Sequence, residues 1–186
     1  MDKTYRTEFR RKYLIEALPE PLTRASRHLQ IFDNYINTTR MRIRSVRDPE
    51  TKVWSWSMQQ RIGAESGELA SLKIGELYLS EAEHTVFEIF EGTEIRKNRY
   101  FHEVDRMPFA FDVYLGALWG LNIANVDFPD EVSLLKYDPP PFAVFEVTHD
   151  PFFLGENLVE KKFEDVQAEV AKIGSEVPIL SALPDE

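Results

Sequence analysis

Between Thr39 and Arg47 the chain reads TRMRIRSVR, so Arg40, Arg42 and Arg44 alternate with Met41 and Ile43. In a β-strand successive side chains point to opposite faces. The stretch therefore predicts a row of guanidinium groups on one face and an apolar row on the other. Cations gathered this closely repel one another, and a bound anion beside them would cancel that repulsion. The two-faced pattern recurs along the chain. The run 5–15 puts Glu8, Arg10 and Lys12 on one parity and Phe9, Arg11 and Tyr13 on the other. Gln59 and Arg61 share a face, as do Lys97 and Arg99 in TEIRKNRYF. Asp112 stands between Phe111 and Val113 in FAFDVYLG, and Asn125 and Asp127 share a face in LNIANVDF opposite Ala124 and Val126.

On one strand such a charged face is most simply the solvated side of a half-buried sheet. Over the whole set the faces are too one-signed for a solvating surface, which intersperses opposite charges. A closed barrel resolves this, with charged faces turned into a polar lumen and apolar faces packed outward against helices. Arginine forks then offer planar donors suited to phosphate oxygens. Neighbouring carboxylates offer hard oxygen ligands for Mg²⁺ or Mn²⁺.

The periodicity predicts strands over 5–15, 30–36, 38–46 and 53–61, with Arg47-Asp48-Pro49-Glu50 as the turn between the last two. Residues 63–67 read as a loop and 76–79 as a short strand. Ser80-Glu81-Ala82-Glu83 matches a helix capping box, and that helix should run past Phe87 and Phe90 towards Gly92. Strands resume over 93–104, 108–115 and 121–128, followed by a proline-rich connector over 136–142, a short strand over 145–148 and a helix over 156–173. The fold class is α+β: an eight-stranded, mostly antiparallel closed β-barrel (tunnel) with flanking helices. Residues 1–174 form a single tunnel domain and 175–186 a C-terminal tail.

Charge narrows the partner. The chain has 186 residues and formal net charge -10, with 43% hydrophobic and 29% charged residues. Residues 1–61 hold 13 Lys/Arg against 7 Asp/Glu, while the remainder holds 9 against 25. An acidic body argues against general nucleic-acid binding, which rewards broad positive faces. A basic site concentrated within it suits a small polyanion. With no Cys, thiolate metal sites, disulfides and cysteine nucleophiles are excluded. No apolar run reaches membrane-spanning length and the opening MDKTYRTEFRRKYLI lacks a signal-peptide core, so the expectation is a cytoplasmic protein with no membrane partner. His28, His84, His102 and His149 show no shared ligand spacing. Trp54, Trp56 and Trp119 are expected to pack between the barrel wall and a helix rather than stack on a base.

Five segments, in order, resemble the CYTH superfamily, the triphosphate tunnel metalloenzymes. TEFRRKYLI is similar to its opening E-x-E-R-K-F signature and RMRIR to its R-x-R strand. IRKNRYF is similar to its K-x-R-Y strand, FDVYLGALWGLNIANVDF to its D-V-F-x-G…L-x-x-V-E-V-E-F segment, and FEVTHDPFFLGENL to its E-V-T…N-x-x-L ending. The resemblance implies a tunnel that binds a triphosphate with a divalent cation, Mg²⁺ or Mn²⁺, assisting hydrolysis. By position, Lys12, Arg42, Arg44, Lys97 and Arg99 would grip phosphate, with Arg10 beside them. Glu8, Asp112 and Asp127 would hold metal, with Glu146 contributing, and Lys12 and Glu8 are the candidate catalytic groups. Tyr35 falls near a tyrosine common on the family's second strand.

The departures concern acids. Arg10 replaces the second Glu of the signature, and Ala110 and Asn125 stand where the family has acids. Gln59 stands where a lysine is usual, and Glu76 is the one acid near an expected pair. Phosphate capture is thus better preserved than metal loading. The expected activity is hydrolysis of inorganic triphosphate or a small organic triphosphate such as thiamine triphosphate. The alternative is a binding module for triphosphate, polyphosphate or a nucleotide that turns over little. No residues argue for the base recognition an adenylyl cyclase needs. The helix over 156–173 either covers the barrel or mediates a homodimer.

Overall fold

The alternating segments close on one another. The structure, a computed structural model, describes residues 5–62, 69–90 and 92–176. The loop expected over 63–67 and the tail beyond 176 lie outside the described residues. Eight long strands are β1 (Tyr5–Leu14), β2 (His28–Ile36), β3 (Met41–Arg47), β4 (Trp54–Ile62), β5 (Ser71–Leu79), β6 (Gly92–Val104), β7 (Met107–Tyr114) and β8 (Asn122–Phe128). They pair in the circular order β1-β5-β4-β3-β2-β6-β7-β8, with β8 returning to β1 and every pairing antiparallel. A two-residue strand, β9 (Phe145–Glu146), lies against the end of β1.

Local chemistry fixes the corners. At the turn after β3 the Asp48 carboxylate accepts from the Glu50 and Thr51 N–H groups at 2.9 and 3.3 Å. The β6–β7 hairpin is two residues long, and Asp105 and Arg106 both have positive φ, 51° and 66°. That is the primed turn whose twist matches paired strands. The capping box forms as read, with Ser80 and Glu83 satisfying each other's N–H groups, and starts α1 (Glu81–Phe87). The helix stops before Phe90, short of the expected end.

Three further elements differ from expectation. β5 begins at Ser71, five residues before the strand read from the sequence, and buries Leu72 and Ile74. Gly75 interrupts its pattern because the backbone there meets Tyr5: an added Cβ would lie 3.0 Å from the ring. α2 (Glu131–Leu135), capped by Asp130, was not foreseen. The helix expected over 156–173 is two pieces, α3 (Gly155–Leu158) and α4 (Phe163–Glu176).

The apolar faces pack outward. Tyr13, Phe109, Phe111, Ala124 and Val126 are buried on the outside of the wall beneath Leu22, Tyr137 and Phe142. At one end of the barrel the lumen itself turns apolar. Ile95, Tyr114 and Ile123 pack there with Val147, Phe153 and Leu158, and this plug closes that end. Among the described residues no helix is long and apolar enough to cross a membrane. Trp56 stacks on His84 of α1 at 5.3 Å, but Trp54 and Trp119 are exposed, and Trp119 lies under the Arg24 guanidinium.

Candidate functional site

Register carries the charged rows into one lumen. Arg44 stands opposite Asp33 across β3 and β2, and Arg99 stands opposite Asp112 across β6 and β7. The Arg44 guanidinium donates to both Asp33 oxygens, at 2.7 and 2.8 Å, and Arg42 Nη1 reaches the same carboxylate at 3.5 Å. The Arg99 guanidinium donates to both Asp112 oxygens, at 2.6 and 2.7 Å, and Lys97 Nζ donates at 2.8 Å. Both aspartates are 1% exposed. Arg42 also donates to Gln59 Oε1 at 2.8 and 2.5 Å and to the Tyr35 hydroxyl at 3.0 Å.

Seven basic side chains (Arg10, Lys12, Arg42, Arg44, Arg61, Lys97 and Arg99) line this cavity with two carboxylates, Asp33 and Asp112. Only about 30 Å³ of free space remains, because the ion pairs fill the lumen. A larger hollow of about 830 Å³ lies outside the barrel between Trp54, Trp56 and α1, and no Lys or Arg lines it. Convergence of charge, not size, marks the tunnel as the candidate site.

The electrostatics follow from burial and partners. Burial alone would raise the Asp33 and Asp112 carboxyls, but their paired cations outweigh it and hold both well below the usual carboxylate range. Burial and the neighbouring charges of Arg61, Arg10 and Lys97 push Lys12 well below an ordinary lysine. Its ammonium nitrogen has the Phe153 carbonyl at 3.4 Å as a polar neighbour. Lys97 is brought down to about 7, chiefly by burial, which the Asp112 charge offsets only in part. Arg61 is also lowered by burial and by Arg42; it holds Glu156 of the plug at 3.3 Å, and its buried Nε–H has no partner. An anion oxygen would satisfy that donor.

The candidate metal ligands do not come together. Glu8 lies at the open mouth with Asp127, where Arg10 and Arg6 engage them. Asp112 is deep in the lumen and occupied by Lys97 and Arg99, and Asn125 Nδ2 donates to it at 3.2 Å. Glu146 requires correction: its strand pairs with Tyr13, which puts it on the outer face. There the Arg11 guanidinium donates to both its oxygens, and the Thr148 hydroxyl donates at 2.6 Å. Glu146 latches β9 to β1. Among the described residues no cluster of three or more His, Asp or Glu side chains could hold a metal ion. The donor set therefore does not fit a resident Mg²⁺ or Mn²⁺, because each lumen or mouth carboxylate is spent on a cation of the protein. Arg40, from the opening row, is exposed just before β3.

Sequence reasoning passed over Asp33, Arg61 as an anion donor, and the plug. The one sequence signal for Asp33 was its shared parity with Tyr35; its place opposite Arg44 comes from the register.

No family model matches the chain. Over 90 residues the chain is 32% identical to the inorganic triphosphatase of Acetivibrio thermocellus, a match covering 48% of this chain and 56% of that protein. The chain thus spans just over half the length of the curated relative it matches. Two solved structures of NE1496, one described as a hypothetical protein and one as an inorganic triphosphatase, superpose with TM-scores of 0.56 and 0.55 at 20% identity. The first likeness covers 83% of this chain and 99% of that one; the second covers 82% and 93%. The chain shares the fold of NE1496. Its barrel has a cationic lumen, with Arg10 and Asn125 on β1 and β8 among the lining residues.

Proposed function

We propose that the chain captures a triphosphate in the tunnel and hydrolyses its terminal anhydride. The observation that carries this reading is the convergence of seven basic side chains around two carboxylates, with the Arg61 Nε–H unsatisfied. The relative named inorganic triphosphatase supports inorganic triphosphate as the first substrate to try. Phosphoryl transfer needs mainly positioning and charge neutralisation. In this reading the Arg42–Arg44 and Lys97–Arg99 pairs turn from Asp33 and Asp112 onto phosphate oxygens, while Arg61 supplies its free donor. Lys12, held below its ordinary pKa, accepts the proton of the water that attacks the terminal phosphorus. The bridging P–O bond breaks, and orthophosphate and diphosphate leave.

Divalent metal is given no step, since the carboxylates present do not assemble a site for it. A second reading, a binding module with little turnover, is favoured by one specific observation: Asp112 and Asp33 are fully engaged by cations. Phosphate release from inorganic triphosphate, measured in EDTA, Mg²⁺ and Mn²⁺, separates the two. Turnover that falls about a hundredfold or more in Arg42→Ala/Arg44→Ala supports hydrolysis in the tunnel. Turnover unchanged in that variant removes both residues from the site. Tight triphosphate binding without turnover under all three conditions selects the binding module.

A further inference from the structure

We propose that Arg10 supplies, from the protein itself, the cation between Glu8 and Asp127 at the tunnel mouth, so that the site takes triphosphate as a free anion rather than as a metal chelate. The inference rests on reading the tunnel as a triphosphate site.

Arg10 stands directly opposite Asp127 in the β1–β8 register. Its Nε donates to Asp127 Oδ1 at 2.5 Å and its Nη2 to Oδ2 at 2.8 Å, so a bidentate fork takes both oxygens. Its Nη1 lies 3.4 Å from Glu8 Oε2, while Arg6 donates to the other Glu8 oxygen at 2.9 Å. A divalent ion here would need oxygen ligands at about 2.0–2.1 Å in near-octahedral order for Mg²⁺. It would first have to expel a guanidinium from each carboxylate. The expelled Arg10 has nowhere neutral to go: Lys12 follows it along the same face and Arg99 also lines the lumen.

Arg10 also has the access that the role requires. Its side chain is 19% exposed and faces the lumen, whereas Asp127 is 61% exposed at the rim. The fork can therefore hold Asp127 while Nη1, only 3.4 Å from Glu8 and not hydrogen-bonded to it, is the edge nearest to turn towards an entering phosphate. The nearby amides fit the same logic. Asn125 donates to Asp112 and Gln59 donates to Glu76, so neither position adds a charged ligand. Burial works against the charge on Arg10, but the Asp127 hydrogen bond and the Glu8 and Asp127 charges raise its pKa further, and the cation is permanent.

The test uses the full chain, Arg10→Glu and Arg10→Gln in two titrations. In the first, Mn²⁺ alone is titrated calorimetrically. The native chain is expected to show no Mn²⁺ site, and Arg10→Glu, which frees Glu8 and Asp127 and adds a third carboxylate, is expected to bind Mn²⁺ at least about tenfold more tightly. In the second, inorganic triphosphate is titrated in EDTA, in excess Mg²⁺ and in excess Mn²⁺. The native chain should bind in EDTA and gain nothing from Mg²⁺, while Arg10→Glu should lose about tenfold in EDTA and recover with Mn²⁺. Native binding of Mn²⁺ equal to that of Arg10→Glu, or native triphosphate binding that requires a divalent ion, overturns the proposal. Absence of triphosphate binding under every condition overturns the tunnel reading instead, and the Mn²⁺ titration still judges Arg10. If circular dichroism shows Arg10→Glu unfolded, Arg10→Gln takes its place. It too frees both carboxylates, and a failure to gain Mn²⁺ affinity then counts against the proposal.

Discussion

The lumen contains the same clasp twice, once on β2–β3 and once on β6–β7. Asp33 is held by Arg44 in a fork with Arg42 beside it, and Asp112 by Arg99 in a fork with Lys97 beside it. Each aspartate is buried, and each stands directly across from its fork in an antiparallel register. The difference is the third member, Arg42 in one clasp and Lys97 in the other. Arg42 is held charged by Asp33 and Tyr35 despite its burial, whereas Lys97 sits near neutrality at about 7. One clasp is therefore permanently cationic and the other titrates within the working range of a cell. The two walls of the tunnel therefore carry charge that answers differently to pH.

The largest effect comes from removing either aspartate. Asp33→Ala and Asp112→Ala each leave two buried cations uncompensated, and each is expected to cost about 3–5 kcal/mol in urea unfolding. Equal losses would confirm that the clasps are structural equivalents; a loss confined to Asp112 would break the comparison. Titration should remove the same contacts together. Both carboxyls lie below their ordinary value of 3.8 in the folded chain, so the unfolded chain binds more protons as pH falls. Their stabilisation is complete above about pH 4 and is lost progressively below it, which an acid series of melting temperatures will follow.

Lys97 gives a smaller and opposite signature. Its folded value near 7 lies below the ordinary 10.5, so between those limits the unfolded chain holds the extra proton and stability rises with pH. Triphosphate affinity should fall over the same range as the cation discharges, by about tenfold, and Lys97→Arg should abolish the fall. Calorimetry at pH 6, 7.5 and 9 checks both (conditions spanning about one to two units either side of the transition). The smallest effect belongs to the outer wall. Arg11→Ala breaks the partly exposed pair with Glu146 and should cost about 1 kcal/mol or less, with triphosphate affinity unchanged.

The contrast also shows what alternation can reveal. Arg42, Arg44, Lys97, Arg99 and Asp112 were legible because strand parity alone assigns them to a face, and closure of the sheet makes those faces one interior. Asp33 was hidden because QIFDNYI offers a single acid among apolar and amide neighbours, and its partner lies on another strand. Glu146 was misplaced for a different reason. A two-residue strand has too little pattern to set parity, and its side of the wall is decided by pairing with Tyr13. The spread of Glu8, Asp112 and Asp127 between mouth and interior depends on depth along the barrel, which face parity does not encode. The reading of β5 was cut short at Gly75, which breaks the alternation where the backbone passes close to the Tyr5 ring.

The apolar stopper formed by Phe153 and Leu158 against Ile95, Tyr114 and Ile123 makes the bore a blind alley. Anything that enters such a bore has one doorway for both arrival and departure.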